Sequence, residues 1–112
     1  MRPVPASART AVRARFSIRQ LEAFRALASS GSVARAALEL GRTQSAVSMA
    51  LRDLEQALGV ALVQRVGRGL ALTAAGERLL PRADELLLRA DDLQRAGDAP
   101  GDAAAASRLA IG

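Results

Sequence analysis

Histidine, cysteine, lysine, tryptophan and tyrosine are all missing from the 112 residues. Without cysteine there is no disulfide framework and no thiolate-ligated metal. Without histidine as well, the usual zinc sites, Ser-His and Cys-His nucleophiles and imidazole acid–base chemistry are excluded. An enzyme would have to work with carboxylates or arginine alone, and no clustered carboxylate pair stands out, so no enzyme is expected. No apolar run approaches the ~20 residues that a membrane helix needs. Aromatic residues are confined to Phe16 and Phe24, so a core must be built mainly from alanine and leucine. With few β-branched residues, that composition points to closely packed helices. The absence of lysine is most simply the codon bias of a GC-rich genome.

What is present is arginine, unevenly placed. The net charge is +5. Residues 1–16 carry four arginines and no acid, residues 17–72 seven arginines against four acids, and residues 73–98 four against six. Positive charge therefore sits in the first two-thirds, as expected of a part that meets a polyanion.

The strongest local signal is the stretch from Thr43 to Leu58. Thr43 suits an N-cap and Gly59 a left-handed C-terminal position. Between them Val47, Leu51, Leu54 and Leu58 recur at helical spacing. The opposite face carries Ser45, Met49, Arg52 and Gln56, with Ser48 and Asp53 on the flanks and Gln44 in the first turn. Such a helix, apolar on one side and Ser/Gln/Arg on the other, suits the major groove of DNA.

The flanking sequence supplies context. Residues 1–16 have two early prolines and no helical stripe, which fits a disordered basic tail. An arm adding phosphate or minor-groove contacts and an organelle transit peptide share that composition. Ser17-Ile18-Arg19-Gln20 has the form of a capping box and opens a helix to about Ser29 that buries Ile18, Leu21, Phe24 and Ala28. Gly31 ends it. Ser32 caps a short second helix with Val33, Ala36, Ala37 and Leu40 inward; these residues are assigned to packing. The turn Leu40-Gly41-Arg42-Thr43 then completes a helix-turn-helix pattern. Beyond Gly59, residues 62–66 and 70–72 flank Gly67-Arg68-Gly69, forming a hairpin or wing with Arg68 at its tip.

Thr73 caps a last helix to about Ala96. Its Leu79, Ala83, Leu86, Ala90 and Leu93 follow the seam of a coiled coil, widened by Leu80 and Leu87. A second chain is the expected cover. Pro81, inside this helix, predicts a local distortion between Glu77 and Pro81. The chain thus divides into a basic tail (1–16), a winged helix-turn-helix (17–73), a dimerising helix (74–96), and a linker leading into a truncated further domain (97–112).

These landmarks resemble one family. Leu21-Glu22-Ala23-Phe24, Gly31-Ser32, Ala36-Ala37, Thr43-Gln44-Ser45-Ala46-Val47-Ser48, Leu54-Glu55, Leu58-Gly59, Arg65 and Leu72-Thr73-Ala74-Ala75-Gly76 are similar to the N-terminal domain of LysR-type bacterial transcriptional regulators. The resemblance implies a mainly α winged helix-turn-helix followed by a long linker helix. It also implies a homodimer that can assemble into tetramers on double-stranded DNA in the bacterial cytoplasm. No cofactor is expected in this chain, because a small-molecule effector would bind a C-terminal domain. Base contacts fall on positions matching Gln44, Ser45, Ser48 and Met49, and the wing contact on Arg68. Thr43, Arg52 and Arg19 are candidates for the DNA backbone, while Arg42 and Arg65 could equally be solvated or salt-bridged. Dimerisation falls on Leu79, Ala83, Leu86, Leu87, Ala90 and Leu93. The family usually has a polar or basic residue at Met49, proline at Ser45 and phenylalanine at Val63. A helical protein-interaction module without DNA is the competing view; it explains the seam but not the charge split.

Overall fold

Caps set the boundaries of every helix. The computed structural model describes residues 14–98. The tail reading of residues 1–13 and the linker and strand readings of residues 99–112 lie outside them. Helix α1 (Ile18–Ser30) starts at a complete capping box: the Ser17 hydroxyl accepts from the Gln20 amide, and the Gln20 side chain accepts from the Ser17 amide. Helix α2 (Val33–Leu40) is capped by Ser32, and α3 (Gln44–Leu58) by Thr43, whose hydroxyl accepts from the Ala46 amide at 3.1 Å. Gly31, Gly41 and Gly59 end these three helices in the left-handed conformation, which glycine adopts without a Cβ penalty. Strands β1 (Val63–Val66) and β2 (Gly69–Leu72) form an antiparallel hairpin, pairing Val63 with Leu72 and Val66 with Gly69. Helix α4 (Ala74–Gly97) follows from the Thr73 cap and continues through Pro81.

Helix α1 is the centre of packing, touching α2, α3, α4 and β2. Phe24, Leu27, Val47, Leu54 and Leu62 are fully buried there. Alanines at 23, 26, 36 and 37 let the helices approach closely, which is how a chain with two aromatics fills its interior.

Several expectations are corrected. Ile18 is 45% exposed; it lies in an open depression between α1 and the 87–94 stretch of α4. The buried face of α1 runs instead through Leu21, Ala23, Phe24, Ala26 and Leu27, because α1 has neighbours on several sides. Leu58 ends its stripe on the rim of an apolar pocket formed with Phe16, Phe24 and Leu79 and is partly exposed. Phe16, assigned to the tail, packs against the core. Leu62 precedes β1 as a buried plug, and Gly69 belongs to β2, which leaves a two-residue turn of Gly67 and Arg68. The α4 seam is divided. Ala83 and Leu87 are buried within the same chain, so their surface is not available to a second one. Leu86 and Leu93 remain exposed, as does Leu88, outside the expected seam.

The wing is fastened at both ends. The Glu55 carboxylate of α3 accepts from the Leu62 amide at 2.7 Å and the Val63 amide at 3.4 Å. At the other end the Leu70 amide donates to the Gly31 carbonyl at 3.1 Å. Buried amides left without acceptors cost about 1–3 kcal/mol each, so these bonds hold the hairpin to the helical body in one orientation.

Candidate nucleic-acid interface

Helix α3 is held so that only its first turns and one long side face outward. Val47, Leu51 and Leu54 are buried, while Gln44, Ser45, Met49, Arg52 and Gln56 are exposed and Ser48 is half-buried. Met49 keeps 65% of its surface in solvent. An exposed methionine amid serine, glutamine and arginine contributes nothing to the core, so packing does not explain its place.

The wing folds back towards the start of this helix. Gln44, Ser45 and Ser48 share a concave surface of about 560 Å³ with Arg65, Arg68 and the segment from Gly31 to Ala34. Two arginines and no acid line it. Gly67, with φ +58°, occupies the first turn position and leaves Arg68 exposed at the tip. Four sequence-predicted residues are thus brought together: Gln44, Ser45, Ser48 and Arg68. Met49 and Arg52 are not among the residues lining this hollow. They lie along the exposed side of α3, with Arg52 beside Gln56, Gly59 and Val60 in a shallow depression.

The structure separates the arginines that sequence could not rank. Arg42 forms an ion pair with Glu22 and donates to the Arg19 carbonyl at 3.0 Å, with only 14% of its side chain exposed. It clamps the turn before α3 onto α1 and is not free for a ligand. Among the described residues Arg19, Arg52, Arg65 and Arg68 form no ion pair, and all four are exposed. The Arg42 bond to its carbonyl places Arg19 near the turn that starts α3. Arg65 is the more informative case, because strand pairing carries it into the hollow with Gln44.

Sequence reasoning missed the start of α2. Ser32, Val33 and Ala34 line the hollow, although Ser32 reads as a cap and Val33 as a packing residue, and Ala34 has no assignment in the sequence reading. The backbone there belongs to the first turn of α2, whose amides have no partner within the helix. No local sequence signal marks it: the bond from the Leu70 amide to the Gly31 carbonyl, a through-space contact, brings the wing to the start of α2.

Chemically this is a surface for recognising an extended anion with hydrogen-bonding edges. The arginines and helix starts suit phosphates, and Gln44 can bond two groups of one base edge at once.

Known proteins share this sequence pattern and fold. Residues 18–77 match the family model described as bacterial regulatory helix-turn-helix protein, lysR family. The carbapenem-hydrolyzing beta-lactamase transcriptional activator of Enterobacter cloacae is 50% identical over 76 residues, 68% of this chain and 26% of that protein. A mutant of Corynebacterium glutamicum OxyR superposes with a TM-score of 0.72 at 36% identity, over 75% of this chain and 26% of the other. The DNA-binding domain of CbnR, solved in complex with DNA, superposes with a TM-score of 0.63 at 40% identity, over 74% of this chain and 99% of that one. The chain spans about a quarter of the length of the first curated relatives it matches. Matched from the start of α1 into the first turn of α4, with wing and helix-turn-helix in the same order, the chain belongs to the LysR family of bacterial helix-turn-helix regulators.

Proposed function

We propose that this chain is the operator-reading part of a dimeric transcription regulator and not an enzyme. The carrying observation is the hollow in which Gln44, Ser45 and Ser48 of α3 meet Arg65 and Arg68 of the wing with no acid among them. Helix α3 enters the major groove. Gln44 reads adenine through a bidentate pair, Ser45 and Ser48 contact neighbouring base edges, and Met49 packs on a thymine methyl. Arg65 and Arg68 follow the phosphates beside the groove, Thr43 and Arg19 hold the backbone near the start of α3, and Arg52 holds it further along the helix. These phosphate contacts fix position without reading sequence.

The exposed Leu86 and Leu93, with half-buried Leu79 and Ala90 on the same side of α4, form the dimer contact. They recur at the coiled-coil period, and beyond Ala90 every described residue of α4 is exposed. Ala83 and Leu87 serve the dimer only by setting the angle at which α4 leaves the body. A small-molecule effector is assigned to a domain outside this chain, and no cofactor to the chain itself. The described helices include none long and apolar enough to cross a membrane.

A fluorescence-anisotropy titration tests this, using a duplex with a T-N11-A dyad, the site that resemblance to the LysR family implies, and a scrambled control at two salt concentrations. The expected result is two chains per dyad duplex, tighter binding to the dyad, and affinity that falls steeply as salt rises. Absence of DNA binding at low salt, or one chain per dyad, contradicts the proposal.

A further inference from the structure

We propose that Glu22 is a specificity-determining positioning residue. By holding Arg42 against α1, it fixes the first turn of α3 and withholds that guanidinium from the DNA backbone. This rests on the DNA-binding function proposed above and deepens it. Arg19 and Arg42 lie at the start of α3, and Arg65 and Arg68 face it from the wing. Of these four, Arg42 alone has an ion-pair partner among the described residues. That partner is the only acid of α1.

Arg42 is bonded in three directions. One guanidinium nitrogen donates to the Glu22 carboxylate, and the other donates to the Arg19 carbonyl at 3.0 Å. Its backbone amide donates to the Ala37 carbonyl at 3.0 Å. The side chain is thus tied to α1 and the backbone to α2, one residue before Thr43 caps α3. Two nitrogens of one planar fork, each with its own acceptor, fix direction as well as distance. Gln44 follows in the first turn, so a shift of Arg42 is passed to the residue assigned to adenine.

Stability alone gives little reason for this arrangement. Taking both charges out of water offsets much of their attraction, and a well-packed apolar pair would fasten the same turn. An arginine has a further consequence. Arg42 stands between Arg19 and Thr43, the two residues assigned to the DNA backbone near the start of α3. Released from Glu22, it would meet the same run of phosphates, a contact that strengthens binding to every sequence and reads none. Glu22 thus gives up affinity for all DNA in favour of a fixed reading edge.

The test compares the intact chain with Glu22→Ala, Glu22→Ala/Arg42→Ala and Asp53→Ala. The last removes an exposed acid of α3 that forms no ion pair among the described residues, so it frees no arginine. Each is titrated onto dyad and scrambled duplexes at a temperature where circular dichroism shows all of them folded. Glu22→Ala is expected to bind scrambled DNA more tightly at low salt, with a salt slope steeper by about 0.9 for the one added phosphate. Its advantage then shrinks about 3.5-fold between 50 and 200 mM salt on that slope. Its ratio of dyad to scrambled affinity is expected to fall by up to about 10-fold, part of what one bidentate base contact supplies. In the double variant the slope returns to that of the intact chain, while the lowered ratio stays. A pair that serves stability alone would lower the melting temperature of Glu22→Ala and leave slope and ratio unchanged. That result overturns the proposal, as does an equal gain in slope from Asp53→Ala, which would make net charge the cause. If Glu22→Ala unfolds at the assay temperature, Glu22→Gln keeps the shape of the side chain without its charge and carries the same expectations at reduced size. If the intact chain itself fails to bind DNA at low salt, the underlying function is overturned along with it.

Discussion

Replacing Gly76 with alanine is expected to cost about 3 kcal/mol, the upper part of the usual range for overpacking a tight interior. At this domain size that lowers the melting temperature by roughly 10–20 °C. A Cβ at Gly76 would stand 2.1 Å from the Leu62 carbonyl oxygen and 3.0 Å from its carbon. The obstacle is backbone that cannot swing aside. The Leu62 amide is bonded to Glu55, its carbonyl accepts from the Thr73 amide at 3.0 Å, and its side chain is fully buried. Alanine would gain up to about 1 kcal/mol in helix propensity, too little to offset the displacement. Gly97→Ala is the control. That glycine also lies in α4 but meets nothing within 4 Å, so its replacement is expected to leave the melting temperature unchanged or slightly raised. Thermal melts followed by circular dichroism decide it; equal melting temperatures for the two variants would show that the contact between Leu62 and α4 is looser than described.

Gln44→Ala is expected to cut the ratio of specific to random-sequence affinity by about 10- to 100-fold, which corresponds to 1–3 kcal/mol for one lost bidentate base pair contact. Gln44 stands in the first turn of α3, exposed, and in the same hollow as both wing arginines. Its removal takes away a base contact without touching the core or the cap. Arg52→Ala is expected to differ in kind: Arg52 is exposed, and with the backbone role proposed for it, its loss weakens all duplexes alike and reduces the salt slope by about 1. Anisotropy titrations of both variants on dyad and scrambled duplexes separate these outcomes. If Gln44→Ala weakens the two duplexes equally, its role is positional.

Local physics was readable along the chain; through-space pairing was not. The capping box at Ser17 and Gln20, the caps at Ser32, Thr43 and Thr73, and the left-handed glycines at 31, 41 and 59 occur where residue chemistry predicts them. The helix-turn-helix and wing order followed from those signals and the change of period after Gly59. Ile18 and Leu58 show the limit of periodicity. Each sits on a stripe, but a stripe does not tell where the covering neighbour ends. Arg42 and Arg65 show the limit for the site. Arg42 is consumed by Glu22, 20 residues away, and Arg65 is freed by strand register, so neither fate is visible in local sequence. The seam of α4 was legible as a period, but not its division between the chain's own core at Ala83 and Leu87 and the exposed Leu86 and Leu93.

The claim that α3 enters the major groove is open to a direct mapping. The chain has no cysteine, so a single introduced one carries a tethered iron chelate at a unique site. Gln56→Cys places it on the exposed side of α3, away from the residues assigned to base contact, and Asp92→Cys places it on the exposed far part of α4. With dyad-containing DNA bound, the label at position 56 is expected to cut the strands within each half-site, and the label at position 92 to leave the DNA at background. Cutting from position 92 as strong as from 56, or no cutting from 56 in a labelled protein that still binds, would contradict this placement of the helix.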